Sequence, residues 1–279
     1  MSNQPKDTNE ESQDMKDKIL REYPRLSADD KFNFRCHDKL ACFTHCCADV
    51  NIALTPYDVL RLRKRIGMGS EEFIDEHLFI PKMVPGQKLP MVLLRMRDDN
   101  KSCKFVGEKG CEVYEDRPWA CRMYPVGHAT GRTEAHPEGE DFYFILRDRK
   151  CDGLDEKNEM TIREWMENQG THDYDEANNE YKELSLHPFL TKGYALEPQH
   201  RQMFFMACYN LDRFREFVFE STFLQKFDIE AETVEAIRED DEALLRFGFR
   251  YLRFALFHER TVNLNPEYEK AKRKVLSAD

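Results

Sequence analysis

Residues 36–47 read Cys36-His37-Asp38-Lys39-Leu40-Ala41-Cys42-Phe43-Thr44-His45-Cys46-Cys47. The stretch has few helix signals and is dominated by its thiols. Working outward, Cys103, Cys111, Cys121 and Cys151 follow, so eight of the nine cysteines fall within residues 36–151. Cys208 stands alone on the apolar side of a later helical pattern, where a free thiol packs as a small hydrophobe. Random scatter rarely gathers thiols in this way. Thiolate is a soft ligand that suits zinc, Cu(I) and iron–sulfur clusters. Four thiolates complete one tetrahedral zinc site or hold one cluster, so eight is the count for two such sites.

Compartment bears on this reading. Met1 to Lys18 is polar and mixed in charge, without the apolar core of a signal peptide. No apolar run approaches the about 20 residues that span a bilayer. The sequence therefore predicts a cytoplasmic protein with no membrane span, in which clustered cysteines read as metal ligands rather than disulfides.

The spacing is Cys36-x5-Cys42-x3-Cys46-Cys47, then Cys103-x7-Cys111-x9-Cys121, then Cys151. The long gaps suit loops that wrap an object larger than one ion, which favours a cluster. A hairpin with a cysteine at each end would equally present both to one ion. Adjacent cysteines such as Cys46 and Cys47 tend to point in different directions and so could serve two metals. His37 and His45 lie in the dense window and could coordinate, although a capping or surface role is the preferred reading for each. Arg117 and Arg122 flank Cys121 and could offset thiolate charge or pair with Glu115 or Asp116. Tyr114 and Tyr124 could donate to sulfur or pack over it.

Three strings carry a resemblance: Cys42-Phe43-Thr44-His45-Cys46-Cys47, Leu54-Thr55-Pro56-Tyr57-Asp58-Val59-Leu60, and Cys111 through Pro125, which ends Arg117-Pro118-Trp119-Ala120-Cys121-Arg122-Met123-Tyr124-Pro125. Over about residues 34–155 the chain resembles the CxxCxxCC cysteine-cluster family of zinc- or iron-chelating domains. The resemblance implies Cys42, Cys46, Cys47, Cys103, Cys111 and Cys121 as ligands, with Cys36 opening the set. Cys151, followed by Gly153, is similar to the family's later Cys-x-Gly. The opening spacing departs from the family's usual x2 and x2. Some members resemble enzymes that methylate flagellin lysines, but this chain has no glycine-rich nucleotide loop.

The surrounding chain sets the fold class. Thr55-Pro56-Tyr57-Asp58 is a capping box with proline at the first helical position, and Gly67 closes that helix. A short helix is predicted over Glu71–His77. Met91–Met96 and Phe142–Leu146 read as strands, and Cys103–Tyr114 as a hairpin turning at Gly107–Gly110. Thr161-Ile162-Arg163-Glu164 is a second capping box, with Gly170 as its stop. Apolar residues recur at helical spacing over Pro198–Glu220 and again over Glu230–Glu259. The basic run Arg61, Arg63, Lys64 and Arg65 reads as a solvated helix face.

The expected class is α+β. Residues 1–30 form a disordered or loosely ordered tail. Residues 31–155 form an irregular cysteine-rich metal-binding half with short strands and helices. Residues 156–279 form a mainly helical region packed on it. The 279 residues carry a net charge of −11, and residues 152–183 hold 11 acidic against 3 basic residues. That balance argues against nucleic-acid binding, which needs a basic footprint. The expected function is a metal-binding cysteine-cluster protein holding an iron–sulfur cluster, with a redox or transferase role. The alternative is a zinc-stapled interaction module without catalysis. The expected ligands are Cys36, Cys42, Cys46, Cys47, Cys103, Cys111, Cys121 and Cys151. No catalytic residue and no other cofactor site is identifiable, so enzymatic activity stays open. A protein or redox partner is envisaged, of unknown identity.

Overall fold

A computed structural model describes residues 23–83, 87–131, 140–147, 151–191, 196–268 and 270. Residues 1–22 of the expected tail lie outside the described residues. The fold is α+β, with helices predominating and strands confined to small two-stranded sheets. The chain divides into two compact units. The first includes residues 23–53, Lys82–Gln87 and Leu93–Asp175. The second includes Leu54–Pro81, Lys88–Val92 and residues from Glu176 onward. The capping-box helix, which the sequence reading placed beside the cysteines, thus groups with the later helices.

In the first unit, the strand Val126–Gly131 pairs antiparallel with Glu140–Ile145, in the register Val126 with Ile145. Gly127 is required here: a Cβ would lie 2.4 Å from the Phe144 ring. The sequence reading missed a second pair, Lys31–Asn33 with Glu159–Thr161, centred on Phe32 opposite Met160. Its strands are three residues long and far apart in sequence. Phe32 and Phe34 point to one side and meet Trp165 edge-on, with Phe34–Trp165 ring centroids 5.1 Å apart. Met123, Val126 and Ile162 complete this core. The Trp165 indole N–H is satisfied by the Met123 carbonyl at 3.1 Å. Residues 23–30 are also held: Leu26 and Tyr143 exchange two main-chain hydrogen bonds of 2.8 Å.

In the second unit, Pro56–Ile66 forms as its capping box dictates. The Thr55 and Asp58 side chains each accept from the other's amide, and Gly67 closes the helix at φ 72°. The two long periodic runs each break into two helices. Pro198–Tyr209 gives way to Leu211–Phe219 at Asn210, and Ala231–Glu239 gives way to Asp241–Phe257 at Asp240. The cause is capping. Asn210 accepts from the Arg213 amide, and Asp240 accepts from the amides of Glu242 and Ala243. A short polar side chain that satisfies the next helix's free amides offsets the loss of continuity. In the core Phe214 stacks on Phe247 and Tyr251, and Phe223 meets both of these rings edge-on.

The basic run is not uniformly solvated. Arg63 is 7% exposed and donates to the Asp241 carboxylate, which Arg215 also reaches at 2.5 Å. Burial works to raise the Asp241 carboxyl, but Arg215 and Arg63 outweigh it and hold it below the usual range. Among the described residues, no helix is long and apolar enough to cross a membrane.

Gly248 marks a close helix approach, since a Cβ there would lie 2.8 Å from the Ala207 carbonyl oxygen. Gly248→Ala should therefore cost about 1–3 kcal/mol in denaturant unfolding through overpacking. Gly67→Ala should cost about 1 kcal/mol from its left-handed backbone alone, because nothing lies within 4 Å of the added carbon. A Gly248→Ala protein as stable as the parent would contradict the close crossing.

Candidate metal centre

Main-chain hydrogen bonds decide which cysteines become neighbours. The window from His37 to Cys47 is wound into successive turns: Leu40 bonds back to His37, Phe43 to Leu40, His45 to Cys42 and Cys47 to Thr44. Two non-glycine residues with left-handed backbone bracket the Cys46–Cys47 pair, Thr44 at φ 67° and Asp49 at φ 52°. The conformation is costly for a β-branched residue such as Thr44, and strain of this kind collects at functional loops.

One end of the window joins the Cys151 loop. The Arg35 amide donates to the Gly153 carbonyl at 3.0 Å, and the Asp152 amide donates to the Cys42 sulfur at 3.2 Å. Gly153 makes this approach possible, because a Cβ would lie 2.8 Å from the Arg35 carbonyl oxygen. The other end joins the Cys103 loop. The Cys103 amide donates to the Cys47 carbonyl at 2.7 Å, and the Asp49 amide to Lys101 at 2.8 Å. From there the hairpin Val106–Gly107 with Gly110–Cys111 returns the chain, and Gly110 at φ 110° lets the Phe43 ring pack against it. Cys121 lies in the short helix Trp119–Met123.

The sulfurs form one electrostatic neighbourhood. Cys46 and Cys47 place theirs 4.0 Å apart, so these neighbours do not point in different directions as the sequence reading expected. That contact, burial and the nearby Cys121 and Cys103 push the Cys47 thiol up. Lost hydration, then Cys46, Cys151 and Cys42, push Cys36 up to about 11, although the residue as a whole is exposed. Burial also raises Cys103, Cys111 and Cys151. Charges of one sign at close quarters disfavour ionisation unless something positive is near. Among the described residues, no three His, Cys, Asp or Glu side chains converge closely enough to be a ready-made ion site. Cys208, wholly buried in the second unit, stands apart as expected.

Positive groups are built into the walls. The Cys103 sulfur accepts from the Phe105 amide at 3.4 Å, and the Val113 and Gly153 amides favour the thiolates of Cys111 and Cys151. The Tyr124 hydroxyl donates to Cys151, and burial with the nearby thiols raises its own pKa. Tyr114 instead lies under the Arg117 guanidinium, 3.8 Å from ring centroid to carbon.

The arginines act through the main chain. Arg122, 6% exposed, donates to the carbonyls of Arg117, Gln169 and Glu115. Arg117 donates to the Tyr114 carbonyl and to the Gln169 side chain, and its charge reaches Cys111 and Cys121. The expectation of carboxylate pairing with Glu115 is replaced, for Arg122, by a bond to the Glu115 backbone. His37 caps as expected, accepting from the Lys39 amide at 3.3 Å, and His45 is exposed. The side chains gathered in this neighbourhood are mainly thiols.

Sequence reasoning missed Arg97. Its guanidinium donates to the carbonyls of Cys103, Lys104 and Val106 and to the Ser102 hydroxyl, all at 2.9–3.1 Å. One side chain thereby folds the whole Cys103 loop, and its charge favours the Cys103 thiolate. No motif marks such a residue, because its partners are main-chain atoms. Lysine cannot reproduce the planar fork. Arg97→Lys should lower bound metal and destabilise the unit by about 1–3 kcal/mol, with faster hydrogen exchange at the Cys103 and Glu112 amides. Unchanged exchange and metal content would contradict the role given to Arg97.

Comparison with known proteins agrees with this geometry. No curated protein and no solved structure matches the chain. Residues 35–152 match the family model described as "CxxCxxCC: Putative zinc- or iron-chelating domain". That span begins one residue before Cys36 and ends one residue after Cys151, so it encloses all eight gathered cysteines and excludes Cys208. Over residues 35–152 the chain is therefore similar to the CxxCxxCC family, which is described as a zinc- or iron-chelating domain.

Proposed function

We propose that the domain holds an iron–sulfur cluster and that the chain acts in electron transfer or in a group transfer supported by the cluster. The observation that carries this reading is the donor set. Eight thiols share one electrostatic neighbourhood, and amide N–H groups are already directed at Cys42 and Cys103. Hydrogen bonds to sulfur and nearby positive charge are the means by which a protein sets a cluster's potential. A redox-silent ion has less use for them. The long Cys36–Cys42 and Cys103–Cys111 spans suit an object larger than one ion.

When bound, such a cluster supplies one-electron redox capacity. The chain's own groups define its setting. Cys36, Cys42, Cys46, Cys47, Cys103, Cys111, Cys121 and Cys151 are the available ligands. Arg97 and Arg117 offset thiolate charge, and the Tyr124 hydroxyl supports Cys151. Ligation requires deprotonated thiols, so raised thiol pKa values mean that metal must displace protons on entry. The net charge of −11 fits a protein or redox partner and an absence of general affinity for DNA or RNA.

One observation favours zinc as a second reading. The hairpin ending at Cys111 returns that residue towards Cys103, and two such cysteines can grip a single ion. Anaerobic purification separates the readings. The cluster reading predicts brown protein with iron and acid-labile sulfide, and a paramagnetic signal in one of its redox states. Colourless protein with stoichiometric zinc would contradict it and support the staple.

A further inference from the structure

In the second unit His187 immediately precedes the short helix Pro188–Thr191. Proline has no amide hydrogen, so Phe189 carries the first N–H of that turn. It donates to His187 Nδ1 at 3.2 Å, and the Leu190 amide donates to the His187 carbonyl at 2.9 Å. The imidazole thus caps the turn, in the place where Ser, Asp or Asn usually supplies an oxygen. The turn matters to the core, because Leu190 is 1% exposed whereas Leu186, just before His187, is 64% exposed.

The other ring nitrogen is also engaged. Nε2 lies 3.1 Å from a Glu259 carboxylate oxygen. Arg253 donates to the same carboxylate and reaches Glu183 at 2.6 Å. Arg253 foremost, with help from His187, holds the Glu259 carboxyl below its usual range against partial burial. An ionised Glu259 accepts from Nε2–H, which leaves the Nδ1 lone pair to accept from Phe189. Phe257 lies flat against the imidazole, with centroids 3.8 Å and planes 4° apart. The Phe189 ring packs on the same Phe257 at 5.8 Å. The charged groups facing the imidazole are therefore Glu259 directly, with Arg253 and Glu183 behind it.

We propose that His187 is a proton-sensitive cap: its neutral ring closes the turn Pro188–Thr191, and proton uptake at Nδ1 opens it. A protonated Nδ1 is a donor and can no longer accept from the Phe189 amide. The two contacts of the ring favour opposite states. The amide favours the neutral imidazole, and Glu259 favours the cation, whose charge-assisted bond is the stronger one. Glu259 thereby keeps the ring in place while the cap is lost. Oxygen caps of Ser or Asn do not titrate, whereas imidazole does so within about pH 5 to 8. Capping is present above the imidazole titration and is lost as pH falls through it. The device needs no metal, so it stands or falls apart from the iron–sulfur reading.

Nuclear magnetic resonance on the full chain, from about pH 8 down to pH 5, tests it. Imidazole nitrogen shifts should show the hydrogen of neutral His187 on Nε2. Protection of the Phe189 amide against exchange, corrected for intrinsic rates, should fall about fivefold on acidification, the size of one helix cap. That fall should share its midpoint with the His187 titration. In His187→Asn, whose amide oxygen can cap at any pH, protection should stay level. In His187→Ala it should be low throughout. Hydrogen on Nδ1 in the neutral parent, or Phe189 protection that does not change through the His187 titration, would overturn the proposal whether or not either variant folds. So would the same acid-induced fall in a folded His187→Asn protein.

Discussion

The Cys103 amide meets the Cys47 carbonyl at 2.7 Å, and the Arg35 amide meets the Gly153 carbonyl at 3.0 Å. These two main-chain contacts anchor the cysteine-rich domain. Each closes a long stretch of chain, and closure entropy grows only slowly with length. Local turns alone could gather Cys36 to Cys47. They could not add Cys103, Cys111 and Cys151, which arrive from more than 50 residues away. The aromatic core of Phe32, Phe34 and Trp165 holds the strand pair that aims Arg35 at Gly153. The Arg97 fork holds the loop that aims Cys103 at Cys47.

Gathering thiols in this way creates an electrostatic problem. Burial and mutual proximity favour the neutral thiol, as the raised values at Cys36, Cys47, Cys103, Cys111 and Cys151 show. Metal binding requires the thiolate. Directed amides and two guanidiniums reduce the difficulty, and a bound cation removes most of it, since an ion in the site inverts the local pKa logic. On this account metal and fold support one another. The loops preorganise sulfur, and the metal replaces proton as the group that keeps the sulfurs together.

Signals confined to a few adjacent residues were legible in the sequence. Both capping boxes, at Thr55–Asp58 and Thr161–Glu164, formed as read, as did the Gly67 and Gly170 stops and the hairpin at Gly107–Gly110. The breaks at Asn210 and Asp240 were missed because apolar periodicity continues across them. Yet the signal was present, a cap-forming residue followed by free amides. The pairing of residues 31–33 with 159–161 was out of reach, being short and non-local. At the site, the thiols were legible and their partners were not. Arg97 and Arg122 bond to main-chain carbonyls, which leave no trace in residue identity, and Arg63 turned inward to meet Asp241.

The central claim is that this domain presents a sulfur-only ligand set. X-ray absorption at the edge of whatever metal co-purifies with the full chain tests it most directly. The account predicts a first shell of sulfur alone, at about 2.3 Å if the metal is zinc. A shell dominated by nitrogen or oxygen, from the nearby histidines or water, would contradict it.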